Sequence, residues 1–378
     1  MDLRSRLSRI RKIPLPGPAS APEAGPFEKL GWIPSGPASS SPLILSRTQT
    51  LELSMPIPQT LPQALEALSP GGAEGRPESL RFFDLETTGL SIGAGTIAFL
   101  AAVGVPEGTG GPEGYAGIRI TQYLLLDYPG EGDFLETLAG EFGGASPPPT
   151  LVSYNGKSFD AQILRNRCLM HGIAFPALDH LDLLHSARRL WKGVLPNCSQ
   201  ATVETAILSL SREGDLSGAF APESWFDFLR SGDSRRLLQI CDHNSRDIVG
   251  LASLFACLCR IAADPLGAGE RYSADMEQLA VCWQRALGRR LQGEEEFRRA
   301  RALLERGAAL GYPRCCRKLA IEAEWRQGNI AAALALVDRA LARNNPSRGL
   351  PEWLRLDLEA RRQRLLGKAG ARRTEGTP

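Results

Sequence analysis

The sequence predicts an α/β domain, with a mixed sheet flanked by helices, followed by an all-α region of helical hairpins. Short apolar segments bounded by turn residues, typical of β-strands, are concentrated between residues 81 and 156. Beyond them the apolar residues recur at the spacing of amphipathic helices, and after the break "DPLGAG" (264–269) helix follows helix. A composition of 43% hydrophobic and 23% charged residues is ordinary for a globular protein.

The predicted elements follow one another from a leader into the domain, residues 79–263. Residues 1–78 are rich in Pro, Gly and Ser and predict a mostly disordered leader, in which "LILSRTQTLELSM" (43–55) alternates enough for a short strand or docking segment. The domain contains predicted strands at 81–86, 96–105, 119–127 and 150–156. Its predicted helices lie at 132–143, 158–171, 181–191, 199–210, 224–230 and 234–262.

The region 271–366 predicts two pairs of helices. These helices lie at 278–291, 297–311, 317–329 and 330–344. Trp283 has a counterpart in Trp325, so the pairs repeat about every 40 residues. The pattern is similar to a tetratricopeptide-like array, whose period is near 34 residues. Residues 367–378 are expected to form a disordered tail.

Charge is unevenly distributed along the chain, although the net charge is only +2. Residues 79–270 carry 14 basic and 22 acidic side chains, whereas residues 271–378 carry 22 basic and 13 acidic ones. A nuclease with a carboxylate metal site and a separate basic arm would show this distribution. A basic helical surface is more often only a solvated face, so both interpretations stay open here.

Several classes of protein are disfavoured by the sequence. No apolar run approaches the roughly 20 residues that span a bilayer, and the chain start lacks the apolar core of a secretory signal. We therefore expect a cytoplasmic protein without membrane contact. The eight cysteines form no CxxC pair, so neither a zinc site nor a disulfide framework is indicated.

Two carboxylates stand in "RFFDLETTGL" (81–90), near the end of an apolar strand. Residues i and i+2 of a strand point to one face, so Asp84 and Glu86 lie side by side and repel each other unless a cation lies between them. On an exposed edge strand the same pair would simply be solvated. The apolar flanks favour a site at the strand end instead.

Two later stretches add further acids. "VSYNGKSFD" (152–160) runs from a strand into a helix with Asp160 in its first turn, where the helix dipole favours an acid even without a catalytic role. In "CDHNSRD" (241–247), His243 and Asp247 are four residues apart and share one helix face. An ordinary surface pair would have the same spacing.

These stretches together resemble the four-acid exonuclease group of the ribonuclease H-like superfamily. The segments "DLETTGL", "TIAFL", "YNGKSFD", "DLLHSARRLW" and "HNSRD", in this order over about residues 81–256, are closer still to the YprB-type ribonuclease H-like family. The resemblance implies a ribonuclease H-like sheet and a metal-dependent nuclease. It does not extend to the leader and is weaker in the helical tail.

The resemblance also implies roles for individual residues. It implies four ligands for two divalent ions, Mg²⁺ or Mn²⁺: Asp84, Glu86, Asp160 and Asp247. Hard cations prefer such carboxylate oxygens. Asp84 would bridge the ions, and His243 would be the general base. Typical members place Tyr four residues, or His five residues, before the last acid, whereas here His stands four residues before Asp247.

Further polar residues near these motifs are candidates for binding the substrate. They are Thr87, Asn155, Lys157, Asp182, Arg188 and Arg189. Asp182 and Arg189 share a helix face with His185, and that face would equally suit a salt-bridged surface.

The expected function is a two-metal 3′–5′ exonuclease acting on single-stranded DNA or RNA, with the helical tail recruiting nucleic acid or a protein partner. The alternative is a catalytically idle ribonuclease H-like domain in a nucleic-acid-binding or scaffold protein. Four intact acids favour the enzyme, because an idle domain has no reason to keep like charges together. A structure-specific endonuclease would use the same metal site.

Overall fold

The computed structural model describes residues 25–36, 43–70, 76–89, 95–108, 114–143, 148–342 and 350–374. Residues 1–24 of the predicted leader and 375–378 of the predicted tail lie outside the described residues. The strands are β1 Ile33–Pro34, β2 Ile44–Ile57, β3 Leu80–Thr87, β4 Ala98–Glu107, β5 Tyr115–Leu125, β6 Thr150–Ser153 and β7 Asp179–Asp182. The helices are α1 Gly25–Glu28, α2 Leu65–Leu68, α3 Glu131–Gly143, α4 Asp160–Met170, α5 Leu183–Trp191, α6 Gln200–Ile207, α7 Ala221–Ser231, α8 Arg235–Ala263, α9 Gly267–Arg271, α10 Met276–Ala286, α11 Glu294–Ala309, α12 Pro313–Trp325, α13 Ile330–Ala342 and α14 Glu352–Thr374.

The seven strands form one mixed sheet in the order β1-β2-β5-β4-β3-β6-β7. The pairs β1–β2, β2–β5, β5–β4 and β4–β3 are antiparallel. The pairs β3–β6 and β6–β7 are parallel. Most of β4 is buried, which is why its sequence reads as a nearly continuous apolar run. The predicted mixed sheet with flanking helices is confirmed.

The structure corrects the prediction of a mostly disordered leader. β2 is a strand of 14 residues that pairs along β5, so the segment 43–55 is an integral part of the sheet. Phe27 and Trp32 are also buried. The strand was underestimated because Pro- and Gly-rich stretches surround it. β7 was missed as well, since "DHLD" is short and polar and was assigned to the following helix.

Side-chain alternation on β3 determines which layer the acids face. Phe82 packs against Phe255 of α8, with ring centroids 5.7 Å apart. Phe83 points to the opposite layer, where it packs edge-on against Phe142 of α3 at 5.5 Å. Asp84 and Glu86 have the parity of Phe82, so they face α8. The long helix α8, predicted at 234–262, thus lies directly over the carboxylates.

The helical region packs on the domain through a shared apolar core. Trp191 of α5 donates its indole N–H to the Tyr272 carbonyl at 2.9 Å, and the Asp275 N–H bonds the Leu190 carbonyl at 2.9 Å. The predicted helical hairpins are present. α14 runs to Thr374, which corrects the predicted disordered tail over 367–374. Among the described residues, no helix combines the length and apolarity needed to cross a bilayer.

Candidate functional site

The carboxylates of Asp84 and Glu86 lie at the end of β3 beneath α8. In the pairing with β4, Glu86 lies opposite Leu100, and the register then shifts between Glu86 and Thr87. Such a bulge ends regular pairing and aims side chains locally, a feature that recurs beside active sites. The structure thus brings the two predicted acids together at an irregular strand end.

Asp160 is aimed at the same place by the turn that precedes α4. Asn155 adopts a left-handed backbone with φ of 65°, which Asn tolerates better than most residues. A Cβ at position 156 would lie 2.6 Å from the Ser153 Oγ and 2.8 Å from an Asp160 carboxylate oxygen, so only glycine fits there. The "YNG" sequence therefore lets the chain turn tightly enough to bury the Asp160 side chain.

His243 and Asp247 complete the cluster from α8. Their four-residue spacing places the His243 Nε2 3.2 Å from an Asp247 carboxylate oxygen. Ligand atoms of Glu86, His243 and Asp247 all lie within 4.8 Å of one another, close enough to hold a metal ion. The predicted pairing of these two helix residues is present, and Glu86 from the sheet joins them.

Burial and repulsion between neighbouring acids dominate the electrostatics of Asp84, Glu86 and Asp160. Burial, followed by repulsion from Asp247, raises the pKa of Asp84 and of Glu86 well above the usual range. Burial, followed by repulsion from Asp182, raises the pKa of Asp160 to about 7. No Lys or Arg among the described residues forms an ion pair with these three acids. Buried like charges that lack a counter-charge fit a hard divalent cation.

Arg212, which the sequence reading missed, lies at one edge of the cluster. Its guanidinium donates to Asp247 and, at 2.6 Å, to the buried Glu204 carboxylate. Glycine at 250 makes room for Glu204, because a Cβ there would lie 1.8 Å from its Oε1. Arg212 therefore holds Asp247 from the side, in a non-helical segment that no hydrophobic periodicity marks.

Asp215 and Gly218 were also missed, and both approach His243. The Asp215 carboxylate accepts from the His243 Nδ1 at 2.8 Å. A Cβ at Gly218 would lie 2.9 Å from the His243 Nε2 and 3.4 Å from Glu86 Oε1, so the backbone passes closely over the site. Asp215 fixes the imidazole ring and leaves Nε2 on the side of the acids.

A buried polar chain supports Asp84 from behind. The Asn244 amide donates to the Asp84 carboxylate at 2.7 Å and accepts from the Gln122 Nε2 at 3.0 Å. Gln122 in turn accepts from the Arg47 guanidinium at 2.9 Å. Asn244 stands inside the "HNSRD" motif, but nothing in the sequence shows that its side chain turns toward the strand rather than toward solvent.

The six predicted substrate-binding residues are placed in two different ways. Asn155, Lys157 and Arg188 are exposed around the site-forming turn and α5. The other three are occupied within the protein. Thr87 donates to the Gly89 carbonyl, Arg189 donates to the Leu68 carbonyl, and Asp182 accepts backbone N–H groups of Asn155, Lys157 and Leu184. Asp182 therefore shapes the turn that carries Asp160.

Comparisons with known proteins agree with this geometry. Residues 81–259 match the profile of the RNase_H superfamily. A stretch of 181 residues is 35% identical to the uncharacterized protein YprB of Bacillus subtilis (strain 168). That match covers 47% of this chain and 41% of the relative, so less than half of either protein is compared.

Proposed function

Because residues 81–259 form a ribonuclease H-like domain, we propose that the protein is a metal-dependent nuclease, a 3′–5′ exonuclease acting on single-stranded DNA or RNA. The observation that carries the proposal is the convergence of four carboxylates and one imidazole, from β3, α4 and α8. Within the described part of the chain, no Lys or Arg forms an ion pair with Asp84, Glu86 or Asp160. A polyanionic substrate could not approach these acids without bound cations.

The ligands for two ions, Mg²⁺ or Mn²⁺, would be Asp84, Glu86, Asp160 and Asp247. When bound, such ions supply Lewis acidity at the scissile phosphate. Burial and repulsion from Asp247 raise the pKa of Asp84, and bound cations would offset that repulsion. Arg212 keeps one Asp247 oxygen oriented while the other stays toward His243.

His243 would hold and move the proton of the attacking water. With Nδ1–H donated to Asp215, Nε2 faces the acids at 3.2 Å from an Asp247 carboxylate oxygen, where it would accept the proton of the attacking water. The exposed side chains of Lys157 and Arg188 would contact phosphates of the strand being degraded. The single-residue departure from the usual His spacing is thus compatible with a base role, since the ring still reaches the cluster.

The test is a cleavage assay on the full chain. End-labelled single- and double-stranded DNA and RNA, together with a circular single strand, are incubated with Mg²⁺ or Mn²⁺ and with EDTA. The comparison is between the wild type and the double variant Asp84→Asn, Glu86→Gln. The matched control, Asp133→Asn with Glu136→Gln, makes the same chemical changes on α3, away from the site.

Metal-dependent shortening from the 3′ end, absent in the site variant and present in the control, is the expected result. Cleavage of the circular strand, which has no end, would show that the activity is that of an endonuclease and not of an exonuclease. A wild type that binds nucleic acid but leaves every substrate intact would overturn the nuclease and leave an idle ribonuclease H-like scaffold.

A further inference from the structure

A groove in the helical region lies apart from the acid site. It is bounded by α10, α12 and the start of α14, and its cavity volume is about 450 Å³. Its floor is apolar, with buried Ala280, Leu304 and Cys315. α10, which lines the groove, contacts α5 of the ribonuclease H-like domain. The groove is therefore connected to the domain that carries the acids.

The groove is lined by cations, and none of its described lining residues is acidic. These cations are Arg285, Arg314, Arg317 and Lys318. Arg317 is neutralised by Asp357 at 2.8 Å. The other three form no ion pair with any described residue. Three positive charges around one apolar concavity, without an ion-pair partner among the residues whose structure is described, indicate an anionic ligand.

An aromatic side chain and a second basic depression extend this surface. Trp353 lines the groove with 56% of its surface exposed, unusual for a Trp. The adjoining depression shares Arg285 with the groove and adds Arg289 and Arg290, which are also exposed. Together they form a basic track that begins beside a free indole ring.

We propose that this basic groove binds single-stranded nucleic acid, with phosphates at Arg285, Arg314 and Lys318 and a base stacked on Trp353. Cations that follow a backbone next to an aromatic platform are the features by which proteins hold single strands. A duplex hides its base faces within the stack, so it could not use the indole. The proposal rests on the proposed function, since the occupant is a more distant part of the same substrate.

The charge distribution explains why a nuclease of this kind needs a second binding surface. Residues 79–270, which hold the acid site, carry an excess of eight acidic side chains, whereas residues 271–378 carry an excess of nine basic ones. The domain that would cut the strand therefore repels it over a distance of several ångströms, even with ions bound. The groove supplies the attraction that the cutting site lacks.

The test measures binding without cleavage. Fluorescence anisotropy of a labelled 20-nucleotide single strand, DNA or RNA, is recorded with the full chain in EDTA over a range of salt concentrations. The groove variant is Arg285→Ala, Arg314→Ala, Lys318→Ala, and a second variant is Trp353→Ala. The matched control, Arg271→Ala, Arg298→Ala, Arg326→Ala, removes three exposed cations of the helical region that do not line the groove. Circular dichroism verifies that each variant is folded.

The groove variant should raise the Kd at least about tenfold and reduce the slope of log Kd against log salt by about 2, since each phosphate contact on a single strand contributes about 0.7. Trp353→Ala should raise the Kd about tenfold and leave the slope unchanged, because stacking releases no counterions. The control should stay within about twofold of the wild type.

Three results are decisive for the groove. A groove variant whose Kd and salt slope match the control would overturn the proposal, even if the wild type cuts nucleic acid. The proposal would also be overturned if the groove variant lost affinity for a glutamate-rich peptide but bound the oligonucleotide as the wild type does. The partner of the groove would then be a protein. If oligonucleotide binding depends on the groove but the wild type cleaves no substrate, the groove proposal would be supported. Only the proposed nuclease activity would then be overturned.

Discussion

The two regions of the chain bury carboxylates in opposite electrostatic settings. At the end of β3, burial and then repulsion from Asp247 raise the pKa of Asp84 and of Glu86. No Lys or Arg that the structure describes forms an ion pair with either acid. Asp160, in the same cluster, has a pKa raised to about 7. The hydrogen bond that Asn244 donates to Asp84 offsets only part of this effect.

Glu324 in α12 shows the opposite treatment. Its side chain is 0% exposed, yet Arg361, Arg364 and Lys368 of α14 all reach it at 2.8 to 2.9 Å. The hydrogen bond from Arg364 is the largest cause that lowers the Glu324 pKa to about 2. This acid anchors the last helix, and the helix brings the counter-charges with it.

The difference separates a structural acid from an acid that awaits a ligand. The chain has 44 basic side chains and places three of them around a single carboxylate where the purpose is helix packing. At the end of β3, none of the basic side chains in the described ranges forms an ion pair with Asp84, Glu86 or Asp160. Buried charge without an ionic partner costs stability, and in the function proposed above bound divalent cations would offset that cost.

The largest expected difference between the site acids and Glu324 is in the rate of nucleic-acid hydrolysis. Asp84→Asn should reduce nucleic-acid hydrolysis by about 10³-fold, which corresponds to about 4 kcal/mol of lost transition-state stabilisation. Glu324→Gln, the same loss of one buried charge, should leave the rate per folded molecule within about twofold. Initial rates with Mn²⁺ measure both. Equal losses in the two variants would mean that the acids do not differ in role.

Stability should respond in the reverse order. In EDTA at pH 7, Glu324→Gln should lower the free energy of unfolding by about 2 kcal/mol, because three cations lose their shared partner. Asp84→Asn should leave that free energy unchanged or raise it, since the substitution relieves repulsion and still accepts the Asn244 bond. Urea titrations give both values. A strongly destabilised Asp84→Asn protein would show that the acid already has a stabilising partner.

The pH dependence of stability should also differ in sign between the two regions. The folded pKa of Glu324, about 2, lies below its unfolded value, so its contribution is complete above about pH 4.5 and is lost as the pH falls toward 2. The destabilisation caused by Glu324→Gln should therefore shrink between pH 5 and pH 3. Arg355 with Glu359, an exposed pair on the same helix, provides the control Glu359→Gln, which should show little change.

Asp160 should affect the pH dependence of the free energy of unfolding in the opposite direction. Its folded pKa, about 7, lies above its unfolded value, so in metal-free protein it is neutral in acid and destabilises increasingly as the pH rises from about 4 to 7. Asp160→Asn should gain about 1 to 3 kcal/mol relative to wild type over that interval. The gain should vanish when saturating Mn²⁺ is added to the wild type.

Elementary periodicity predicted the part of the site that lies within regular structure. The two-residue repeat of a strand placed Asp84 beside Glu86, and the four-residue repeat of a helix placed His243 beside Asp247. The "YNGKSFD" motif pointed to Asp160, which lies near Asp84 and Glu86 in the structure. Their chemical roles stay predictions until the cleavage assay is done.

What periodicity could not supply are contacts made by irregular chain and across long sequence separations. Arg212 and Asp215 lie in a segment between two helices, where no repeat fixes side-chain direction. β2 is hidden in a composition that is typical of disorder, and its register with β5 depends on residues about 70 positions away. The pairing of Glu324 with α14 is equally non-local. Each depends on tertiary packing, which overrides local preference.

The smallest effect tests how the acid site is kept in order without a cation. Asn244 orients the Asp84 carboxylate at 2.7 Å and is itself held by Gln122. Partners that orient a metal ligand in this way typically affect metal affinity by about tenfold or more when removed. Asn244→Ala should therefore weaken Mn²⁺ binding about tenfold in calorimetric titrations, whereas Asn166→Ala, which removes an exposed amide from α4, should not change it. Unchanged Mn²⁺ affinity in Asn244→Ala would mean that repulsion among the acids alone positions Asp84. The acids of the site would then differ even more from Glu324, which is held by three cations.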